Sequence, residues 1–139
     1  MKNPARRITV IDRQEYWRLL SVRTLEEAGY VVTPLDTYDY DFGVSSGAYD
    51  QVDLVILGCA TIGPEEHDLI GHILDHKHQL VVLSTSIPSR VMRSVFLLGA
   101  KDVADKSYNP EALVLTVETV LKDVEPRSTY ERFAQEGPP

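Results

Sequence analysis

Residues 54–57 read Leu-Val-Ile-Leu and are followed directly by Gly58. A short apolar run that contains β-branched residues is typical of a strand covered on both faces of a sheet. Shorter or weaker runs of the same kind lie at 8–11, 31–35, 80–83 and 103–104. The sequence therefore predicts five short strands, of which 54–57 is the strongest.

The segments between these strands have helical periodicity. They predict helices at 14–28, 64–78 and 89–98 and a last helix from Pro110 to Pro126. In chain order, their apolar stripes consist of Trp17, Leu20, Leu25 and Ala28; Leu69, Ile70, Ile73 and Leu74; Val91, Val95 and Leu98; and Leu113, Val117, Val120, Leu121 and Val124. The segment 36–51 has no such stripe, so we expect a short or distorted helix there.

The alternation of strands and helices determines the predicted topology. It favours right-handed β-α-β units and a parallel sheet. Pro34 in the second strand cannot donate a hydrogen bond to a neighbour, which favours a position at the sheet edge. We therefore expect an α/β, doubly wound, five-stranded parallel sheet in the order 2-1-3-4-5, with helices on both faces. In such folds the functional residues follow the carboxyl ends of the strands.

Composition and charge exclude several classes of function. The chain has 139 residues, which suffices for one domain with its own core, and a net charge of −7. This charge argues against direct nucleic-acid binding, which relies on clustered Lys and Arg. No apolar stretch approaches the roughly 20 residues of a membrane span. The single Cys59 suits a reducing compartment. We expect a cytoplasmic protein without membrane contact.

Four segments together resemble the receiver domains of response regulators. They are Ile11-Asp12-Arg13, Leu25 to Tyr30, Tyr49 to Leu57, and Gly99-Ala100-Lys101-Asp102 before Lys106. The resemblance covers residues 7–124 and implies a flavodoxin-like fold and a role in two-component signal transduction or a phosphorelay. We expect the remaining residues, 125–139, to form a polar, mobile tail.

The resemblance also implies a phosphorylation pocket, but one that is degenerate here. In receiver domains two acidic residues after the first strand bind magnesium, and an aspartate ending the third strand accepts the phosphoryl group. A Ser or Thr after the fourth strand and a lysine after the fifth sense the phosphate. Carried over to this chain, these positions are Asp12, Arg13, Gly58, Ser84 and Lys106. Two flanking positions also depart from the family: Ser107 replaces a proline, and Val103 replaces an aromatic residue.

These identities predict a pseudo-receiver that is not phosphorylated. Gly58 has no side chain to act as a nucleophile. Magnesium prefers several oxygen ligands, and Arg13 brings a positive charge where a second carboxylate is expected. We expect Arg13 and Lys106 to occupy the space of the metal and phosphate, with Asp12 paired to one or both. The alternative is a solvated charge cluster without a structural role.

Three other groups of residues each leave two interpretations open. Asp68, His72 and His76 share one helix face and are either a zinc site or a solvated surface, of which the second is favoured. Cys59 is either a redox-sensitive thiol or, as we favour, a small apolar filler. The three tyrosines either face a partner or pack the second helix, and packing ranks first: Tyr38, Tyr40 and Tyr49.

The predicted function is signalling through protein–protein interaction, without catalysis and without a cofactor or metal. The resemblance implies a partner-binding face made by the fourth helix, fifth strand and fifth helix, here Arg90, Arg93, Lys101, Asp102 and Val103. The absence of arginine between Leu113 and Leu121 disfavours a salt-bridged dimer, so at most a weak homodimer is expected. The alternatives are the regulatory part of a longer transcription regulator or output enzyme and, more distantly, a cofactor-binding enzyme of the same fold.

Overall fold

The computed structural model describes residues 5–106, 109–122 and 124–127. Within these residues, five strands alternate with five helices. In chain order they are β1 (Arg7–Ile11), α1 (Glu15–Glu27), β2 (Val31–Leu35), α2 (Tyr40–Ser45), β3 (Leu54–Cys59), α3 (Pro64–Asp75), β4 (Leu80–Ser84), α4 (Ser89–Leu98), β5 (Asp102–Asp105) and α5 (Pro110–Leu121). Within the described residues no helix is both long and apolar enough to cross a bilayer. Most of the predicted tail, residues 128–139, lies outside the described residues.

The strands form one parallel sheet in the order β2-β1-β3-β4-β5, which confirms the predicted topology. In the central pair, Ile8 of β1 lies beside Leu54 of β3, and Ile11 lies beside Leu57. β2 is at the edge, as Pro34 predicts, because its missing N–H is tolerated there. β3 is buried along its whole length, which explains its continuous apolar sequence.

Side chains alternate between two apolar clusters, one on each face of the sheet. Leu54 and Ile56 of β3 pack with Leu25 on the face covered by α1 and α5. Val55 and Leu57, the residues between and after them, pack on the face covered by α2, α3 and α4. Successive side chains of a strand point to opposite faces. The parity of a residue along its strand therefore decides which helices it meets.

The helices differ from the prediction at their ends. α3 stops at Asp75 instead of continuing to His78, because Lys77 adopts a left-handed backbone with φ 65°. The N–H groups of Lys77 and His78 then donate to Leu74 O and Ile73 O, which closes the helix. α5 stops at Leu121, before Pro126. The chain beyond it turns so that Arg127 N donates to Asp53 Oδ1 at 2.6 Å.

Two predicted apolar stripes were also partly wrong. In α1, Ala28 is exposed, whereas Ser21 and Thr24 are buried against the sheet face. In α4, Leu98 is 54% exposed, and Val95 carries the burial. The spacing of apolar residues in α1 does not identify Ser21 and Thr24 as buried positions. They are buried because small hydroxyl side chains fit where α1 and α5 approach each other.

The segment 36–51 contains a six-residue helix that is held by aromatic packing. Tyr38, Tyr40 and Tyr49 are all buried, which confirms the packing interpretation. Tyr40 stacks on Tyr49 with 4.7 Å between ring centroids, and on the rings of His72 and His76 at 5.4 and 4.8 Å. These two histidines therefore attach α2 to α3, a role that neither interpretation from the sequence included.

Gly43 is required by this packing. A Cβ built on Gly43 would overlap Tyr49 Cε2 and lie 3.2 Å from Leu35 Cδ2. We predict that Gly43→Ala lowers the free energy of unfolding by about 1–3 kcal/mol, the cost of overpacking a filled site. Gly71→Ala in α3 is the matched control, since nothing lies within 4 Å of its added Cβ. It should stabilise by about 0.5–1 kcal/mol through helix propensity. Urea unfolding of both variants measures this, and equal effects would contradict it.

Candidate functional site

Two charged residues directly follow β1 and β5, and the backbone of each continues the hydrogen bonding of the sheet. Asp12 follows β1, and its N–H donates to Leu35 O at 3.1 Å. Lys106 follows β5, and its N–H donates to Ser84 O at 2.9 Å. β3 and β4 lie between these strands, so the two backbones are separated by three strand spacings, roughly 14 Å. Their side chains must cross this distance to meet.

The two side chains meet in a buried ion pair. Lys106 Nζ lies 2.8 Å from Asp12 Oδ2, and the side chains are 2% and 5% exposed. Lys106 Nζ also donates to Gln14 Oε1 at 3.2 Å and lies 5.3 Å from the centre of the Trp17 ring. Asp12 Oδ1 accepts the Gln14 N–H at 2.9 Å. Each charge is thus compensated, which a buried charge needs.

Gly58 makes this meeting possible. It lies in β3, between the strands that supply Asp12 and Lys106. A Cβ built on Gly58 would overlap Asp12 Oδ2 and lie 2.9 Å from Asp12 Cγ, closer than real Cβ atoms approach. The carboxylate of Asp12 therefore occupies the space that any side chain at position 58 would take.

Arg13 does not take part in this cluster. The parity of β1 turns it to the opposite face, where its guanidinium pairs with Glu65 and lies 4.1 Å from the centre of the Tyr38 ring. The hydrogen bond from Arg13 lowers the pKa of Glu65. Tyr38 donates to Gly58 O at 2.8 Å, and burial raises the pKa of its hydroxyl. The expectation that Arg13 fills the space of a metal is therefore wrong.

Ser84 also makes its contacts on the other face. Its hydroxyl donates to Ala60 O at 2.7 Å and so ties the end of β4 to the loop after β3. The neighbouring Cys59 is 2% exposed, and burial raises the pKa of its thiol to about 11. A protonated, buried thiol is a poor nucleophile, which agrees with the apolar-filler interpretation.

Of the five predicted pocket residues, the structure brings three together: Asp12, Gly58 and Lys106. Sequence reasoning missed Gln14 and Trp17, which complete the surroundings of Lys106, and missed Glu65 as the partner of Arg13. The signal that separates these three residues from Arg13 and Ser84 is the alternation of side chains along each strand. Asp12 lies two positions after Val10, and Gly58 two positions after Ile56, so both share the α1–α5 face with those residues. Arg13 lies two positions after Ile11, which packs on the opposite face.

The predicted partner face is only partly a surface. Arg90, Arg93 and Lys101 are exposed. Asp102 is half-buried, and its carboxylate accepts the Val103 N–H at 2.8 Å. Val103 is 6% exposed and belongs to the core, so its assignment to this face is wrong. The face contains instead three exposed apolar residues of α4 that the sequence analysis did not select: Phe96, Leu97 and Leu98.

Solved structures show which proteins share this fold. A response regulator from Thermotoga maritima is 19% identical, with a TM-score of 0.73 over 86% of this chain and 100% of that one. A CheY-like receiver domain protein from Methanospirillum hungatei is 16% identical, with a TM-score of 0.75 over 86% and 96%. A chemotaxis protein of Vibrio cholerae is 18% identical, with a TM-score of 0.73 over 85% and 100%. The sequence matches no protein-family model and no curated protein.

These structural similarities show the fold of the chain, which is that of response-regulator receiver domains. The comparison is with whole domains, since each of these structures is covered over at least 96% of its length. The residues at the strand ends are a separate matter, because shared topology does not imply shared chemistry.

The buried ion pair generates a stability prediction. Asp12→Ala leaves Lys106 buried without its anion and should lower the free energy of unfolding by about 1–3 kcal/mol. Lys106→Met should cost less, because it keeps the apolar stem and because the carboxylate left behind still accepts the Gln14 N–H. Urea unfolding at neutral pH measures both variants. An Asp12→Ala midpoint equal to that of the wild type would contradict a structural role of the pair.

The second ion pair of the site serves as the matched control. Arg13 and Glu65 have side chains that are 47% and 59% exposed. Exposed pairs contribute little, because solvent screens them and ordering two long side chains costs entropy. Glu65→Gln should therefore leave the unfolding midpoint nearly unchanged. Its shift in midpoint should be much smaller than that of Asp12→Ala.

Proposed function

We propose that this chain is a pseudo-receiver: a signalling domain that works without phosphorylation and acts by binding another protein, with no catalysis of its own. The proposed domain comprises residues 7–124. The single observation that carries the proposal is the Asp12–Lys106 pair above Gly58, which fills the place of a phosphorylation site with a self-contained ion pair.

The absence of a nucleophile at position 58 supports independence from phosphorylation. Phosphoryl transfer to a receiver domain needs a carboxylate, and Gly58 supplies none. Cys59, the next residue, is protonated and buried, and its side chain faces the other cluster. Neither residue replaces the missing acid.

The engagement of Asp12 supports the same conclusion for magnesium. A magnesium site needs several oxygen ligands at fixed geometry. Asp12 Oδ2 is already bound to Lys106 and Asp12 Oδ1 to the Gln14 N–H. A metal would have to displace a lysine whose side chain is 2% exposed. The donor set at these strand ends therefore does not fit a magnesium ion.

We expect that the protein does not bind beryllofluoride in the presence of millimolar magnesium and does not acquire a phosphoryl group from acetyl phosphate. NMR spectra recorded with and without beryllofluoride should show unchanged amide shifts at Gly58, Ser84 and Lys106. A receiver domain that has all the acidic residues is the positive control. Saturable shift changes at these three residues would exclude the proposal.

Gly58→Asp alone should not restore phosphorylation. The new side chain competes with Asp12 for the same space and for Lys106, so we expect a loss of about 1–3 kcal/mol in unfolding free energy. Beryllofluoride binding by this single variant would mean that Asp12 and Lys106 separate easily. The ion pair would then not be the barrier.

The charge and exposure of α4 support a protein partner with an acidic and apolar surface. Leu97 is 80% exposed and lies beside Phe96 and Leu98 at the end of the helix. Arg90 and Arg93 are exposed on the same helix. This concentration of cations stands out in a chain with a net charge of −7, and exposed contiguous apolar side chains mark interaction sites.

Variants of α4 test this surface. Leu97→Asp should abolish retention of a specific partner from a lysate of the source organism, because it places a charge at the centre of the apolar patch. Leu19→Asp in α1 is the matched control, since Leu19 is 55% exposed on a different helix. A partner identified by mass spectrometry that binds Leu97→Asp as well as the wild type would exclude this face.

A second candidate is the regulatory part of a longer transcription regulator or output enzyme. It is favoured by the anchoring of the segment after α5, where the buried carboxylate of Asp53 accepts the N–H groups of Arg7 and Arg127 at 2.8 and 2.6 Å. Such a fixed exit would give a following domain a defined position. The sequence of the complete gene distinguishes the two candidates.

A further inference from the structure

A cavity of about 80 Å³ lies between α1, α5 and the sheet, directly below the Asp12–Lys106 pair. Its lining on α1 runs from Trp17, next to Lys106 at the end that we call upper, to Thr24. These residues are seven positions apart, so the lining extends about 10 Å along the helix. It is separate from the exposed surface of α4 and from the Arg13–Glu65 pair on the opposite face of the sheet.

The walls of the cavity are mainly apolar. On the sheet they are Val10, Ile56, Leu83 and Ala104, and on the helices Leu20, Pro110, Ala112 and Leu113. Polar groups come from three hydroxyl side chains, Ser21, Thr24 and Thr116, from the ion pair at the upper end and from Asp105 at the rim. Apolar walls with a few polar groups at defined places are characteristic of small-molecule sites.

The hydroxyl side chains are unusual at these positions. Ser21 and Thr24 are among the few buried polar residues of the domain, and they lie on the face of α1 where apolar residues normally pack. A leucine at either position would fill the space between α1 and α5. Two small hydroxyl residues instead leave a cavity and supply hydrogen-bonding groups at its side.

We infer that this cavity binds a small, uncharged organic molecule with an apolar body and one hydroxyl or carbonyl group. The body packs between Leu20, Ile56 and Leu113, and the polar group pairs with Thr24 or Thr116. A charged ligand of either sign is disfavoured, because Asp12 and Lys106 already compensate each other and offer no unpaired charge. Burying a further charge beside a compensated pair is also costly.

The volume limits the size of this molecule. A cavity of roughly 150 Å³ is known to accept benzene. At about half that volume, the cavity is too small to enclose a whole ring, so a single ring fits only if one edge projects into the rim, where Ala112 and Asp105 are exposed. Such a ligand would contact the residues that hold Lys106. Its occupancy would therefore influence the strand ends without any phosphate, and independently of whether α4 binds a partner.

Phenol is a suitable probe, and benzoate is its charged counterpart of similar shape. Titration followed by NMR should give saturable amide shifts at Thr24, Leu113 and Thr116 with phenol, with a dissociation constant in the high micromolar to millimolar range expected for so small a ligand. Benzoate should bind at least tenfold more weakly. Equal binding of benzoate, or no saturable shifts with phenol, would overturn the inference.

Two variants separate specific binding from surface adsorption. Ser21→Leu fills the cavity and should abolish phenol binding while leaving the thermal midpoint equal or higher. Thr24→Val and Thr116→Val keep the side-chain shape but each removes a hydroxyl, and the variant that loses the pairing group should weaken binding several-fold. Thr119→Val in α5 is the matched control, because the Thr119 hydroxyl is exposed and donates to Leu115 O at 2.8 Å. Unchanged phenol binding in Ser21→Leu, if the variant folds, or in both Thr24→Val and Thr116→Val would overturn the assignment of the site.

Discussion

The ion pair between Asp12 and Lys106 is the constraint on which the strand-end region depends. It joins the first and last strands of the site across two intervening strands, and it does so below the protein surface. Because the two oppositely charged groups compensate each other there, a metal or an anion would have to break the pair to bind either of them. The pair also constrains residue 58, since a Cβ there would overlap the carboxylate of Asp12 in its present position.

The alternation of side chains divides the remaining polar residues into two groups with different tasks. Asp12, Gly58 and Lys106 lie on the α1–α5 face and form a closed unit with Gln14 and Trp17. On the other face, Arg13 pairs with Glu65 over Tyr38, and Ser84 ties the end of β4 to the loop after β3. The fold of receiver domains thus has an ion pair at its strand ends on each face of the sheet.

The α1–α5 face of the sheet also carries the cavity below the ion pair. This position connects the proposed ligand with the proposed signalling function. Small hydroxyl residues at Ser21 and Thr24 prevent α1 from closing completely on the sheet and α5. If the domain works without phosphorylation, as we propose, it needs another input to signal conditionally. A neutral ligand next to Lys106 would supply one at nearly the same place, while the exposed end of α4 remains available for a partner.

The sequence by itself determined the topology and the identity of the strand-end residues. Apolar runs such as Leu54 to Leu57 and the proline in β2 are local signals, and each acts within a few residues of its own position. Only the tertiary structure decided which of the strand-end residues meet. Whether Asp12 pairs with Arg13, its neighbour, or with Lys106, 94 positions later, depends on side-chain parity and on the length of a lysine across two strands. The burial of Val103 and the cavity beside Ser21 also depend on the tertiary structure, because both result from how closely the helices pack on the sheet.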